Sequence, residues 1–327
     1  MPVDGSTPVS CFKQSFELYE QLSEAVHGWD LDFRQLGRSN RPFELEQLVS
    51  PRMFYGRAHF DCPFYQMGGP LAGYRTFALQ TGSCTGFNWC GQSITRQSLI
   101  IFPAGSDFES NTRQGFEVFM LSIKEALLER TAHLHYQRPL SDFLGTGREV
   151  CNGSPDTVSK IRSMLCALSA GIGRWSASDS CAPCGAQISA LEESLAELIL
   201  QCLDRGQVKS TAVKRSKRMA ALGTALDVIE NTPMDLIHLP YVLERVDVSR
   251  RTLEHAFQDR FDISPAAYIK ALQLKALNKA LLYGDKRELT VKELCQQHGF
   301  HHLGQLANDY DNLFGELPSV TLRRQAV

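Results

Sequence analysis

The stretch SRRTLEHAFQDRFDISP, residues 249–265, carries two stripes. Leu253, Ala256, Phe257 and Phe261 recur at spacings of three and four, which places them on one face of a helix. Arg251, Glu254, His255 and Gln258 fall on the other face. Ser249 is of the residue type that caps a helix N-terminus, and Pro265 bounds the stretch. Just upstream, LPYVLERVDV (239–248) predicts a short helix with Val242, Leu243 and Val246 apolar, ended at a tight turn by Asp247. Pro240 fits there only within the first helical turn. Helix, tight turn and amphipathic helix with a polar outer face form the arrangement whose second helix enters the major groove of DNA.

The pattern returns 53 residues later: Phe257, Phe261 and Pro265 correspond to Tyr310, Phe314 and Pro318 in YDNLFGELP (310–318). VKELCQQHGF (291–300) supplies the short first helix, with Leu294 and Cys295 inside and Gly299 at a turn that favours positive φ. HHLGQLANDYDNLF (301–314) then predicts Leu303, Leu306, Ala307, Tyr310 and Phe314 inward, and His302, Gln305, Asn308, Asp309 and Asn312 outward.

At these residues the sequence resembles the AraC/XylS family of transcription regulators. The resemblance covers about residues 220–324 and is carried by VSRRTLEHAFQDRFDISPAAYI, KALNKALL, LTVKELCQQHGF and NLFGELPSVTLRR. It implies two helix-turn-helix units joined by a long helix, here about Pro265–Tyr283, with two recognition helices in successive major grooves. The family's base-facing positions correspond to Arg251, Glu254 and His255 in the first unit and to Gly304, Gln305 and Asn308 in the second. Ser249, Arg250 and His302 fall where phosphate or groove-edge contacts are expected, and His301 joins the groove-facing set. Asp247 and Asp262 stand where the family usually has glycine; aspartate enters the left-handed region at a cost of about 1 kcal/mol.

The remainder of the chain has a different grammar. DLDFRQL, FELEQLV, MFYGRAHF, SLIIFPA and FEVFMLSI, between Asp30 and Ile123, cluster or alternate apolar residues between Gly, Pro, Asn and Ser, predicting a sheet that ends near Ile123. Helical patterns follow in KEALLERTAHLHYQ, DTVSKIRSMLCALSAGI and QISALEESLAELILQCLDRG. In the last, Ile188, Leu191, Leu195, Leu198 and Cys202 form an apolar stripe. The expected fold is an α+β N-terminal domain, with a cupin-like β-sheet followed by helices, at 1–209, and an all-α domain with two helix-turn-helix motifs at 221–327. The polar, basic stretch QVKSTAVKRSKR leads through a linker at 210–220. The resemblance implies that the N-terminal sheet binds a small effector or supports dimerisation.

Charge follows the same division: residues 1–209 hold 18 basic and 22 acidic side chains, and residues 210–327 hold 16 and 14. Within the C-terminal half no Lys or Arg lies between Lys292 and Arg323, whereas Glu293, Asp309, Asp311 and Glu316 do. The first unit is therefore expected to anchor on phosphates and the second to select sequence.

Other features carry less. The chain's 327 residues are 43% apolar and 21% charged, as in ordinary globular proteins. Residues 1–16 lack a secretory pattern, and the least charged long stretch, Thr76–Thr95, is too polar for a membrane span, so a cytoplasmic protein is expected. The ten cysteines are scattered, and Cys181-Ala-Pro-Cys184 reads as a thiol-bearing loop because no second ligand pair stands at zinc spacing. His133 and His135 are expected on a helix surface, and Trp89, Phe87, Tyr74 and Arg75 are candidates for a small-anion pocket, with core packing the alternative. Cys295, His298, His301 and His302 suggest the rival reading, a cupin-like metal-dependent sensor or enzyme fused to a DNA-binding domain, but Cys295 must face inward to pack its helix. The expectation is thus a non-enzymatic activator or other regulator with no cofactor and no metal. Its expected partners are double-stranded promoter DNA, RNA polymerase, a second copy of itself and a small effector.

Overall fold

The computed structural model describes residues 9–17, 21–22, 25–26, 30–39, 41–82, 87–89, 92–104, 108–112, 115–145, 147, 149–176, 184–210, 217–261, 263–283 and 291–324. Cys181, Asp262 and residues 211–216 of the expected linker lie outside them. The chain divides into two compact units. One comprises Met1–Phe33, Arg41–Asp61 and Gln66–Ala212; the other gathers Arg34–Asn40, Cys62–Tyr65 and Val213–Val327.

The strands run β1 (Ser10–Phe16), β2 (Asp30–Gln35), β3 (Phe43–Val49), β4 (Met53–Phe60), β5 (Phe64–Gly69), β6 (Tyr74–Gln80), β7 (Phe87–Trp89), β8 (Gln92–Ile94), β9 (Ser98–Ile101), β10 (Phe108–Asn111), β11 (Phe116–Lys124), β12 (Glu149–Asn152) and β13 (Gln207–Ser210). Eight of them form a sheet in the order β1-β3-β4-β11-β6-β9-β12-β13, and five form a second in the order β2-β5-β10-β7-β8. The larger sheet extends beyond the expected end near Ile123. β12 pairs antiparallel with β9, and β13 with β12, so the start of QVKSTAVKRSKR is a strand and not a linker. Each of these strands has four residues, too few for a period of two to stand out.

Both faces of the larger sheet are covered. Successive residues of a strand point to opposite sides. Phe116, Val118 and Met120 of β11 therefore line a cavity, as do Ala58, Phe60, Ala78 and Ile100. Their neighbours Phe119, Leu121, Ile123, Tyr55, Phe77, Leu79, Leu99 and Ile101 join a second apolar cluster with helices. Those helices are α1 (Glu125–Tyr136), α2 (Pro155–Trp175) and α3 (Gly185–Arg205). Helix α2 starts where Ser154 Oγ accepts from the Thr157 amide at 3.3 Å, with Pro155 in the first turn, where its missing N–H costs nothing. Ile188, Leu195 and Cys202 of α3 are buried in the cluster, with Leu191 and Leu198 packed against it. A buried Leu or Ile side chain contributes about 1.5–3 kcal/mol. Glu192 of α3, 1% exposed, accepts from Ser50 Oγ at 2.7 Å and Arg52 Nε at 2.7 Å, which offsets the cost of burying its charge.

In the second unit the helices are α4 (Lys217–Glu230), α5 (Leu239–Leu243), α6 (Arg250–Phe261), α7 (Pro265–Tyr283), α8 (Val291–Gln297), α9 (Leu303–Phe314) and α10 (Pro318–Arg324). Helix α5 starts with His238 Nδ1 accepting from the Tyr241 amide at 3.1 Å and has Pro240 in its first turn. Helix α7 serves both helix-turn-helix copies. Near its start Tyr268 packs edge-on against Phe257 and at a tilt against Phe261 of α6, at centroid distances of 5.4 and 4.6 Å. Further along, Leu274, Leu277 and Leu281 pack with Cys295, Leu306, Tyr310 and Leu313. Within the same unit Arg34 Nη1 donates to Tyr268 Oη at 2.7 Å, and Tyr65 meets Phe261 edge-on at 5.0 Å.

Tyr310 holds a buried polar chain. Asn278 Nδ2 donates to Tyr310 Oη at 2.7 Å, Tyr310 Oη donates to Thr321 Oγ1 at 2.9 Å, and Thr321 Oγ1 donates to Glu316 Oε1 at 2.6 Å. Tyr310→Phe removes the middle link and is expected to lower stability by about 1–3 kcal/mol, because a buried amide and hydroxyl lose a partner. Urea unfolding checks this; an unchanged midpoint would mean that the polar chain adds nothing to stability. Among the described residues no helix is long and apolar enough to cross a membrane.

Candidate nucleic-acid interface

Helix α6 presents its polar stripe outward. Leu253, Ala256, Phe257 and Phe261 are buried, whereas Arg250, Arg251, His255 and Gln258 are exposed. Ser249 does the expected capping: its Oγ accepts from the Thr252 amide at 3.2 Å and lies 2.9 Å from the Thr252 hydroxyl. Arg250 Nε donates to Glu254 Oε1 at 2.8 Å, one turn on. Two candidate contact residues therefore hold each other in the DNA-free protein. The pair is solvent-exposed and worth only about 0.2–1 kcal/mol, so a phosphate or base can replace either partner at small cost. Arg251 is exposed with no ion pair among the described residues.

The second copy is built on Gly299 and Gly315. Gly299 has φ +83°, and a Cβ there would lie 2.6 Å from Gln273 Nε2. That amide bridges Met234 O at 2.9 Å and Ile237 O at 3.1 Å, so the turn and the bridge share one small space. Gly315, φ +78°, ends α9 with its amide on Asp311 O. Between them His301, His302, Gly304, Gln305 and Asn308 are exposed on one side of the helix start.

Three expectations for this helix need correction. Leu303, placed inward by sequence, is 43% exposed, and Leu313 fills the inner face with Leu306 and Tyr310. Four residues before Tyr310 the spacing reaches Leu306, but three more bring it to the rim, where the first turn has nothing to pack on. Phe314, also expected inward, is only partly buried, packed at the cluster's edge. Asp309, expected outward, accepts from Lys270 Nζ at 2.9 Å, so a cation of α7 compensates part of the acidity of the second copy. An exposed Leu303 beside Gln305 is a candidate contact residue that sequence reasoning missed. Apolar side chains meet the thymine methyl group in the major groove.

The remaining candidates disperse. Cys295 is fully buried and burial pushes its thiol up, while the His298 ring bonds to Leu294 O at 2.7 Å. Among the described residues no group of three or more His, Cys, Asp or Glu is placed to share a metal ion. His133 and His135 are exposed on α1. The four pocket candidates do not converge. Trp89 lines the cavity, but Arg75 lies three residues from the cavity-lining Ala78, on the opposite face of β6, and donates to Gly145 O at 2.7 Å. Tyr74 packs edge-on against Phe54 at 5.3 Å, and the Phe87 side chain lies outside the described residues.

Comparison with known proteins bears on the C-terminal third. The family described as a helix-turn-helix domain matches residues 242–324. The chain is 32% identical over 99 residues to the probable thc operon regulatory protein of Rhodococcus erythropolis, a match covering 30% of each protein. It is 33% identical over 97 residues to the XylDLEGF operon transcriptional activator 3 of Pseudomonas putida, covering 30% of this chain and 29% of that one. The chain thus spans only about 30% of the length of these curated relatives. A solved structure, a probable AraC family transcriptional regulator from Rhodopseudomonas palustris, is 32% identical with a TM-score of 0.30, covering 32% of this chain and 97% of that one.

Proposed function

We propose, from the premise that the chain belongs to the AraC/XylS family of transcription regulators, that it is a sequence-specific, effector-responsive regulator which binds double-stranded promoter DNA. The observation that carries this reading is the pair of helix starts, α6 and α9, with polar side chains exposed on a face the core does not use. In this reading Arg251, Glu254 and His255, and Gly304, Gln305 and Asn308 with Leu303, face bases. Ser249, Arg250, His301 and His302 contact phosphates or groove edges. The unit that carries the larger sheet senses the effector and dimerises, and the unit that carries α4 to α10 binds DNA. The protein works in the cytoplasm as a homodimer and acts on RNA polymerase, as the transcriptional role requires.

Genome-wide mapping of bound DNA followed by gel-shift titration of the recovered sites tests the reading. Absence of any preferred site overturns it. The division of labour has its own test. Arg250→Ala and Arg251→Ala should each lower the slope of log affinity against log salt by about 0.9 for every phosphate that the arginine neutralises. Gln305→Ala and Asn308→Ala should weaken operator binding at unchanged slope, because they carry no charge. Equal slope changes in both sets would remove the division between an anchoring and a selecting helix.

A further inference from the structure

We infer that the cavity of the first unit takes an uncharged, largely apolar ligand of about single-ring size bearing one hydrogen-bond acceptor. The inference rests on reading the chain as an effector-responsive regulator. The cavity lies on one face of the larger sheet, between it and strands of the smaller one, and its walls include Leu45, Phe60, Phe102, Phe108 and Val118. Among the described residues no charged side chain lines it, and the polar groups on its wall are Gln66, Ser110 and the indole of Trp89. Trp89 is 2% exposed, yet its Nε1 has no hydrogen-bond partner among the described residues. A buried donor without a partner is costly, and a ligand acceptor would relieve it.

The walls decide against other ligand classes. A carboxylate would lose its hydration and meet no cation among the described lining residues, since Arg75 of β6 is turned to the other face. A sugar would bring several hydroxyl groups to three polar side chains. Water is also poorly held: the cavity measures about 30 Å³, space for two or three molecules, and each needs two to four polar partners. A ring needs more room than this. The half-buried Met120 can supply it: its Cε packs over Gly56, 3.6 Å from where a Cβ would stand, and an unbranched thioether repacks readily.

The test uses the full chain with three probes of one shape: acetophenone, toluene and benzoate. Trp89 supplies a fluorescence signal from the cavity wall, and the melting temperature supplies a second readout. Acetophenone should shift both, toluene should bind roughly tenfold more weakly for lack of an acceptor, and benzoate should do neither. Trp89→Phe should lower acetophenone affinity to that of toluene, read by melting. Should that variant fail to fold, Ala78→Leu, which fills the cavity, should abolish binding of both neutral probes while the melting temperature is retained. Benzoate binding as tightly as acetophenone, no response to either neutral probe, or an acetophenone preference that survives Trp89→Phe would each overturn the inference. Operator binding by ligand-free protein separates the two levels. A chain that binds its operator but neither neutral probe overturns the ligand class alone, whereas a chain without a preferred DNA site overturns the regulator reading on which it rests.

Discussion

The Arg250→Ala, Arg251→Ala double variant should bind its operator with about 2–6 kcal/mol less free energy, roughly 30-fold to 20,000-fold weaker, at a melting temperature close to that of the native chain. Both side chains are exposed at the start of α6, and neither contributes to the buried set Leu253, Ala256, Phe257 and Phe261. The guanidinium group offers a planar fork of donors that matches guanine O6 and N7, or two phosphate oxygens, which alanine cannot replace. The two losses differ in kind. Arg251→Ala removes a cation with no competing ion-pair partner among the described residues. Arg250→Ala also releases Glu254 from its 2.8 Å ion pair, leaving a carboxylate near phosphates. Because the side chains are adjacent, the double variant need not equal the sum of the single ones. The measurement is a titration at fixed salt, with the melting temperature recorded alongside. Native affinity in the double variant would remove α6 from the interface, and a collapsed melting temperature would make the loss one of folding.

Much of the second unit was legible in the sequence because both helix-turn-helix copies carry an apolar spacing of three and four, and because the copies repeat at 53 residues. Its errors lie where periodicity loses force. Leu303 belongs to the pattern by spacing but sits at the first residue of α9, beyond the layer that could bury it. Asp309 looked solvated because its partner, Lys270, is 39 residues away on another helix. The N-terminal unit was less legible. Strands β2, β3, β4, β9 and β11 were found, but β6, Tyr74–Gln80, is buried at every position with Arg, Thr and Gln among its residues, so no alternation marks it. The cavity could not be read at all. Its walls are drawn from Leu22 to Met120 and include residues of both sheets, and no local spacing records which strand faces are brought together.

The equivalent positions Phe257 and Tyr310 show how one architecture is stabilised twice by different means, and they set the largest expected effect on folding. Phe257→Ala should destabilise the second unit by about 3–5 kcal/mol, the range for deleting a buried aromatic ring. Phe257 is fully buried, its ring 5.3 Å from that of Phe261 and 5.4 Å from that of Tyr268. Its loss therefore opens a cavity between α6 and α7, beneath the helix that displays Arg250 and Arg251. At Tyr310 the ring also packs, 4.6 Å from Phe314, but its hydroxyl ties Asn278 on α7 to Thr321 on α10. The first copy thus relies on an aromatic cluster, and the second adds a polar chain that tolerates less change in chemistry. Phe257→Leu keeps the apolar contact and refills part of the volume, so it should recover more than half of the loss, whereas Tyr310→Leu should not recover what Tyr310→Phe loses. Urea titrations of the four variants decide this. If Phe257→Ala unfolds at the native midpoint, the ring cluster does not hold α6 in place. If it is destabilised as expected, DNA affinity should fall only under conditions where the unit begins to unfold, which separates a packing residue from a contact residue on the same helix.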